Sequence, residues 1–299
     1  MWKTVLVAAI ASCSTPAHDP ATPSDVDAAI ITPPTVDAAP SGDAPAADDP
    51  TAGVVWFTWP AQQTKADATW GGVLTDIANH LPASYGDTYW DADAMTAGHE
   101  TSHGIHAHLR NNETPASIGW NAFYVLGDRA AFVAEPAMRK SAVNAYVPTS
   151  LRGSRYDTYL VGQTAWDDSP LYLFDEWSAY ANGAAVAIDQ VQHGLYTGQW
   201  TDAVMGPLEF SAYAIATAKA ISVVDPTYFA SNVQFKRFTA WQIQRAMKLY
   251  GLGSVMTQFT WDVQDAYLAA LRTSADAADL RAFARATWGA AWTQTVLGF

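Results

Sequence analysis

His99 and His103 stand four residues apart in a segment, residues 94 to 110, that has helical spacing and no proline. On a helix this spacing puts both imidazoles on one face, one turn apart, where they can grip a single ion. Glu100 follows His99 directly. It falls beside the two ligands but off their line, where a carboxylate can take a proton from water held by that ion. Zinc lowers the pKa of such a water to about 7, so a neighbouring carboxylate makes a nucleophile at neutral pH, and the same ion polarises a scissile carbonyl. The predicted cofactor is Zn2+ and the predicted reaction is hydrolysis of a peptide bond.

Four of the seven histidines fall between positions 99 and 108. His106 shares the helix face of His99 but lies about 10 Å further along the axis, too far to share its ion on a regular helix. It could line a cleft or form an ordinary hydrogen bond. His108 points to the opposite side and is expected to be solvated or hydrogen-bonded. The third ligand must come from elsewhere, and it is not a thiolate, because the only cysteine is Cys13.

The best candidate is Glu176, within Phe174-Asp175-Glu176-Trp177-Ser178-Ala179-Tyr180. It is a carboxylate near the start of an otherwise apolar helix, where a charge is costly unless used. Asp175, with a shorter side chain on the neighbouring face, is the rival ligand. Small residues such as Ala179 and Gly183 would let this helix approach the first one closely.

The two segments together resemble the gluzincin group of zincin metallopeptidases, in which a histidine pair with an intervening glutamate is completed by a glutamate on a later helix. The resemblance covers residues 94–110 and 171–192. It implies His99, His103 and Glu176 as ligands and Glu100 as general base. It excludes the metzincin pattern, whose third histidine would fall at Leu109. Thermolysin-like members carry an aspartate four residues after the third ligand, to orient a zinc histidine. This chain has Tyr180 there, available to donate a hydrogen bond to Glu176 or to substrate. Such enzymes also need a donor for the developing oxyanion; Tyr156, Tyr159, Tyr172 and Tyr180, with Arg155 behind them, are the candidates.

These side chains need a scaffold. Residues 54–59 read as a buried strand, 70–80 as a weak helix, 85–93 as a loop, and 121–135 as a hairpin turning at Gly127-Asp128. Helices are predicted over 94–110 and 171–192. More are predicted over about 206–223, 229–250, 258–273 and 276–296, with Phe283 and Trp288 in the core. The predicted fold is α+β and predominantly helical: a zincin-like domain over 52–299 with a helical C-terminal part from about 205. The active helix would form the floor of a cleft, and the helix from 171 would supply the third ligand from the side.

The N-terminal segment has a different character. Residues 1–12 read as an export signal, with a short apolar run after Lys3 that is too short to span a bilayer. It ends at Ile10-Ala11-Ser12-Cys13, which resembles the lipobox of bacterial lipoproteins and marks Cys13 for acylation. Residues 13–51 read as a disordered tether. From 14 to 50 they hold seven Asp, eight of the sixteen Pro and no Lys or Arg, too few apolar groups to offset ordering entropy. The net charge of −13 argues against a nucleic-acid partner. The expected partners are a peptide or protein substrate and, through lipid, the membrane of a cell envelope. Two other readings fit the same residues. One is a zinc hydrolase acting on cell-wall amides. The other is a surface lipoprotein that binds a partner or glycan through aromatics around Tyr85, Tyr89 and Trp90.

Overall fold

The computed structural model describes residues 49–59, 62–86, 88, 93–115 and 119–299. The predicted signal, Cys13 and the tether up to residue 48 lie outside the described residues, as do Tyr89 and Trp90.

The described chain is α+β and predominantly helical. Its three-stranded antiparallel sheet has the order β1 (Trp56–Thr58), β3 (Arg129–Ala134), β2 (Trp120–Tyr124). Trp56 faces Ala131, and Tyr124 faces Ala130. The hairpin forms where Gly127-Asp128 predicted it, with Leu126, Gly127 and Asp128 all left-handed at φ 72°, 60° and 59°. Asp76 holds the turn by accepting Gly127 N–H at 3.0 Å and the Tyr124 hydroxyl at 2.7 Å. The expectation of a buried strand over 54–59 needs correction. β1 is three residues long, Trp56 and Phe57 are half-buried and Thr58 is exposed. It is an edge strand paired on one side only, and its Trp56 ring meets that of Trp241 on a later helix, centre to centre at 4.7 Å.

Helix α1 (Gly71–His80) is followed by α2 (Ala94–Asn112). Asp93 caps α2 by accepting Thr96 N–H at 3.1 Å, which satisfies one of the free donors of the first turn. Helix α3 (Tyr172–Gln192) is buried along nearly its whole length. Two glycines set its approach to α2. A Cβ on Gly98 would lie 2.7 Å from Val186 Cγ2, and one on Gly183 would lie 3.0 Å from the Met95 carbonyl. The small residues anticipated in α3 therefore do bring the two helices together, at Gly183. A polar lock adds to this contact. Asn182 donates to Ser102 Oγ at 2.9 Å and to the Tyr124 carbonyl at 3.1 Å.

The remaining helices are α4 (Met205–Val224), α5 (Pro226–Ser231), α6 (Val233–Gly253), α7 (Val263–Thr273), α8 (Ala278–Trp288) and α9 (Ala290–Val296). The helix expected over 229–250 is two, because Asn232 leaves helical geometry and caps α6 by accepting Phe235 N–H at 2.9 Å. The span 276–296 is likewise broken at Gly289, at φ 90°. Phe210 of α4, Phe235 and Phe238 of α6 and Trp288 of α8 bury in the same core as Trp177 of α3, with Phe283 packed against it. α4 is buried on almost every face, as expected of an apolar helix inside a bundle. No helix of the described residues is long and apolar enough to cross a membrane.

Candidate metal centre

α2 and α3 bring three donor atoms to one point. His99 Nε2 and His103 Nε2 are 3.1 Å apart, and Glu176 Oε2 lies 3.6 Å from the first and 3.5 Å from the second. Bonds of about 2.0–2.1 Å around a tetrahedral ion would space such donors about 3.3–3.4 Å apart. The fit has a second support in Glu176 itself, which is 5 % exposed. Its Oε1 accepts the Tyr172 hydroxyl at 2.5 Å, whereas Oε2 is buried with no hydrogen-bond partner. A buried carboxylate oxygen without a donor is costly, and a cation in line with two imidazoles removes that cost. These residues can hold a metal ion.

Asp175 stands behind this triangle, not in it. His103 Nδ1–H donates to Asp175 Oδ1 at 2.5 Å, and Arg110 donates to Oδ2 at 3.2 Å. The rival ligand thus fixes the His103 tautomer and leaves Nε2 free to coordinate. It does from position 175 what Tyr180 cannot do from 180. Burial alone would lower the His103 pKa, but the Glu176 and Asp175 carboxylates outweigh it and hold it well above the usual range. Burial, with His103 and Arg155 adding to it, holds His99 well below that range. Burial would likewise raise Asp175, but His106 and His103 outweigh it and hold its carboxyl well below the usual range. Asp175→Asn is expected to weaken metal binding by about 10–100-fold while the chain stays folded. Competition against a chromogenic chelator measures this, and unchanged affinity would remove Asp175 from the site.

Glu100 follows His99 on α2 and is half-buried. Burial raises its pKa, His103 pulls it down and Glu176 pushes it up, leaving it above the ordinary value. A carboxyl so shifted is better matched to proton abstraction near neutral pH.

The tyrosines separate into distinct roles. Tyr172 is committed to Glu176, and Tyr156 lies beneath Arg152, whose guanidinium is 4.8 Å from its ring centre. Tyr180, one turn after Glu176, packs edge-on to the His99 ring at 4.5 Å, and its hydroxyl meets that of Tyr159 at 2.9 Å. Tyr159 belongs to a π-helical turn, Tyr156–Val161, a distortion that recurs at functional sites. Lys140, itself buried, fastens the end of this turn by donating to the carbonyls of Tyr159 and of Gly162, the latter at 2.9 Å.

His106 is fully buried and lines no cleft. Its Nδ1 lies 3.2 Å from Asp175 Oδ1 without hydrogen-bond geometry, and its Nε2 is 3.3 Å from the Tyr124 carbonyl. His108 is on the far side, where its Nδ1 accepts from Asn112 at 3.2 Å and its ring meets Tyr85 edge-on at 6.5 Å. Another His/Asp group, Asp76, His80 and Asp128, also has ligand-like spacing. His80 Nε2 there lies 2.9 Å from Asp128 Oδ1, and Asp76 Oδ2 accepts Gly127 N–H and the Tyr124 hydroxyl, so the group clamps the hairpin turn.

Sequence reasoning left out Asn182, Asp202 and Glu209, and it cast Asp175 as a rival ligand. A usable signal existed for two of them. Asn182 and Glu209 are polar residues inside apolar helical runs, and such groups are kept only when bonded.

No protein-family model, curated protein or solved structure matches the chain.

Proposed function

We propose that this chain is a zinc metallopeptidase of zincin type with the gluzincin ligand pattern. The observation that carries the reading is the meeting of His99, His103 and Glu176 donor atoms within 3.6 Å, with Glu100 next to the first ligand. Two imidazoles and one carboxylate form the donor set of a catalytic zinc site. When bound, the ion supplies Lewis acidity, which makes water easier to deprotonate and a carbonyl easier to attack.

The residues of the chain do the rest. Glu100 takes the proton of the attacking water and passes it to the leaving amine. Glu176 and the two histidines hold a fixed frame, with Tyr172 and Asp175 locking one side chain each. Tyr180 donates a hydrogen bond to the oxygen on which negative charge develops. A zinc-loaded chain incubated with a mixed peptide library, with cell-wall peptide fragments in a parallel arm, tests the substrate class. Cleavage of the library supports the peptidase. Cleavage of the wall fragments alone moves the site to cell-wall amides, and no cleavage with zinc in place rejects the hydrolase.

The exported, lipid-anchored location belongs to the same reading. Its support is Ile10-Ala11-Ser12-Cys13 and the acidic proline-rich stretch after it. Cys13→Ala is expected to move the protein from the membrane fraction to the soluble fraction, and no change on fractionation would reject the anchor.

One observation favours a second reading, a glycan-binding surface protein. A cavity of about 460 Å³ at the start of α2 is lined by Trp70, Tyr196 and Trp200 together with Asp67 and Asp93. Aromatic faces with nearby carboxylates suit a sugar ring. That reading requires no metal, so a dialysed chain free of zinc would favour it.

A further inference from the structure

A buried arginine stands beside the candidate centre with two carboxylates assigned to it. Arg155 is 7 % exposed and Glu209 is 1 % exposed. Arg155 Nη2 donates to Asp202 at 2.8 Å, and Nη1 lies 3.6 Å from Glu209 Oε1. Glu209 also accepts the Arg155 backbone N–H at 3.1 Å, so it grips both ends of the residue. The approach is close: a Cβ on Gly153 would sit 2.4 Å from Glu209 Oε1. Placing an arginine in such a site is expensive unless its geometry serves something.

What the guanidinium faces is Tyr180. Its central carbon is 4.7 Å from the centre of that ring. Other contacts confine the ring. Phe210 stacks on it at 5.2 Å, and a Cβ on Gly206 would lie 2.5 Å from Tyr180 Cδ1. The hydroxyl is fixed by Tyr159, whose π-helical turn begins next to Arg155. When Tyr159 donates to Tyr180, the Tyr180 proton is left to point elsewhere. The ring sits edge-on to His99, one helical turn from Glu176.

We infer that Arg155, held by Glu209 and Asp202, is a positioning residue that presents the Tyr180 hydroxyl, with Tyr159 as its hydrogen-bond partner, to an oxyanion at the His99–His103–Glu176 centre. This rests on the metal-site reading above. It adds that the oxyanion donor is a braced pair of tyrosines, and that the brace is electrostatic.

The test uses the full chain loaded with cobalt(II), whose visible spectrum reports the centre, and inorganic phosphate as the oxyanion probe. Tyr180→Phe is expected to weaken phosphate binding by about tenfold, the loss of one charge-assisted hydrogen bond. Tyr159→Phe and Arg155→Met are expected to approach that loss, with cobalt content and the phosphate-free spectrum unchanged. Arg155→Lys is expected to recover part of it. Arg155→Met added to Tyr180→Phe should cost little more, because both act through one hydroxyl. Since Arg155→Met removes the guanidinium beside the buried Glu209 and can unfold the chain, Tyr159→Phe and Arg155→Lys carry the test if it does. Unchanged phosphate affinity in Tyr159→Phe, or full additivity of the Arg155 and Tyr180 changes, overturns the inference. A chain that follows this pattern but cleaves no peptide keeps the tyrosine pair and loses the peptidase. A chain that takes up no cobalt overturns both.

Discussion

Glu100→Gln is expected to leave zinc bound at one ion per chain and to reduce peptide hydrolysis by about 10²–10⁴-fold or more. The two side chains have nearly the same shape, so α2 and its contacts are kept. What is lost is the ability to accept a proton. The proposed ligands His99, His103 and Glu176 do not depend on that proton, so metal content and stability should not move. Single-turnover kinetics with zinc analysis on the same sample checks this. A variant that keeps its zinc and full activity would remove Glu100 from the chemistry, and a variant that loses its zinc would make it a structural neighbour of the centre.

His103→Ala and Glu176→Gln are expected to abolish tight zinc binding, each by a different route. The first removes a ligand and also the partner of Asp175 Oδ1. The second replaces the one donor whose free oxygen is buried and unpartnered. A ligand at 1,000 times its Kd stabilises a fold by about 4 kcal/mol. Chelation should therefore lower the melting temperature of the wild-type chain and leave both variants where they already are. Calorimetry with and without chelator distinguishes this from a folding defect, which would depress the variants under both conditions. Equal sensitivity to chelator in wild type and variants would mean that the ion binds elsewhere.

Much of this site was legible from residue types and spacing. The histidine pair, its intervening glutamate and the helix that carries them follow from a four-residue interval on a capped helix. Glu176 stood out because a carboxylate in an apolar helix must be used. What spacing could not decide was the division of labour between Asp175 and Glu176. Adjacent residues on a helix point about 100° apart, and which of them faces the imidazole Nε2 atoms depends on how α3 is rotated against α2. That rotation is set by Gly98, Gly183 and the Asn182 lock, contacts between residues about eighty positions apart. The Arg155–Glu209 pair was hidden for the same reason, since its partners lie just before a π-helical turn and on α4. In the fold, the hairpin and the main helices followed the apolar pattern. The breaks at Asn232 and Gly289 did not, because apolar spacing continues across a residue that leaves helical geometry. β1 was read as buried from its Trp and Phe content, and edge position is a property of pairing order that composition does not carry.

The most direct measurement is X-ray absorption at the zinc edge on the dialysed wild-type chain. The account predicts one zinc per chain with a shell of nitrogen and oxygen neighbours at about 2.0–2.1 Å, two of them showing the outer scattering of imidazole. A chain without zinc, or zinc surrounded by water oxygens alone, would contradict it.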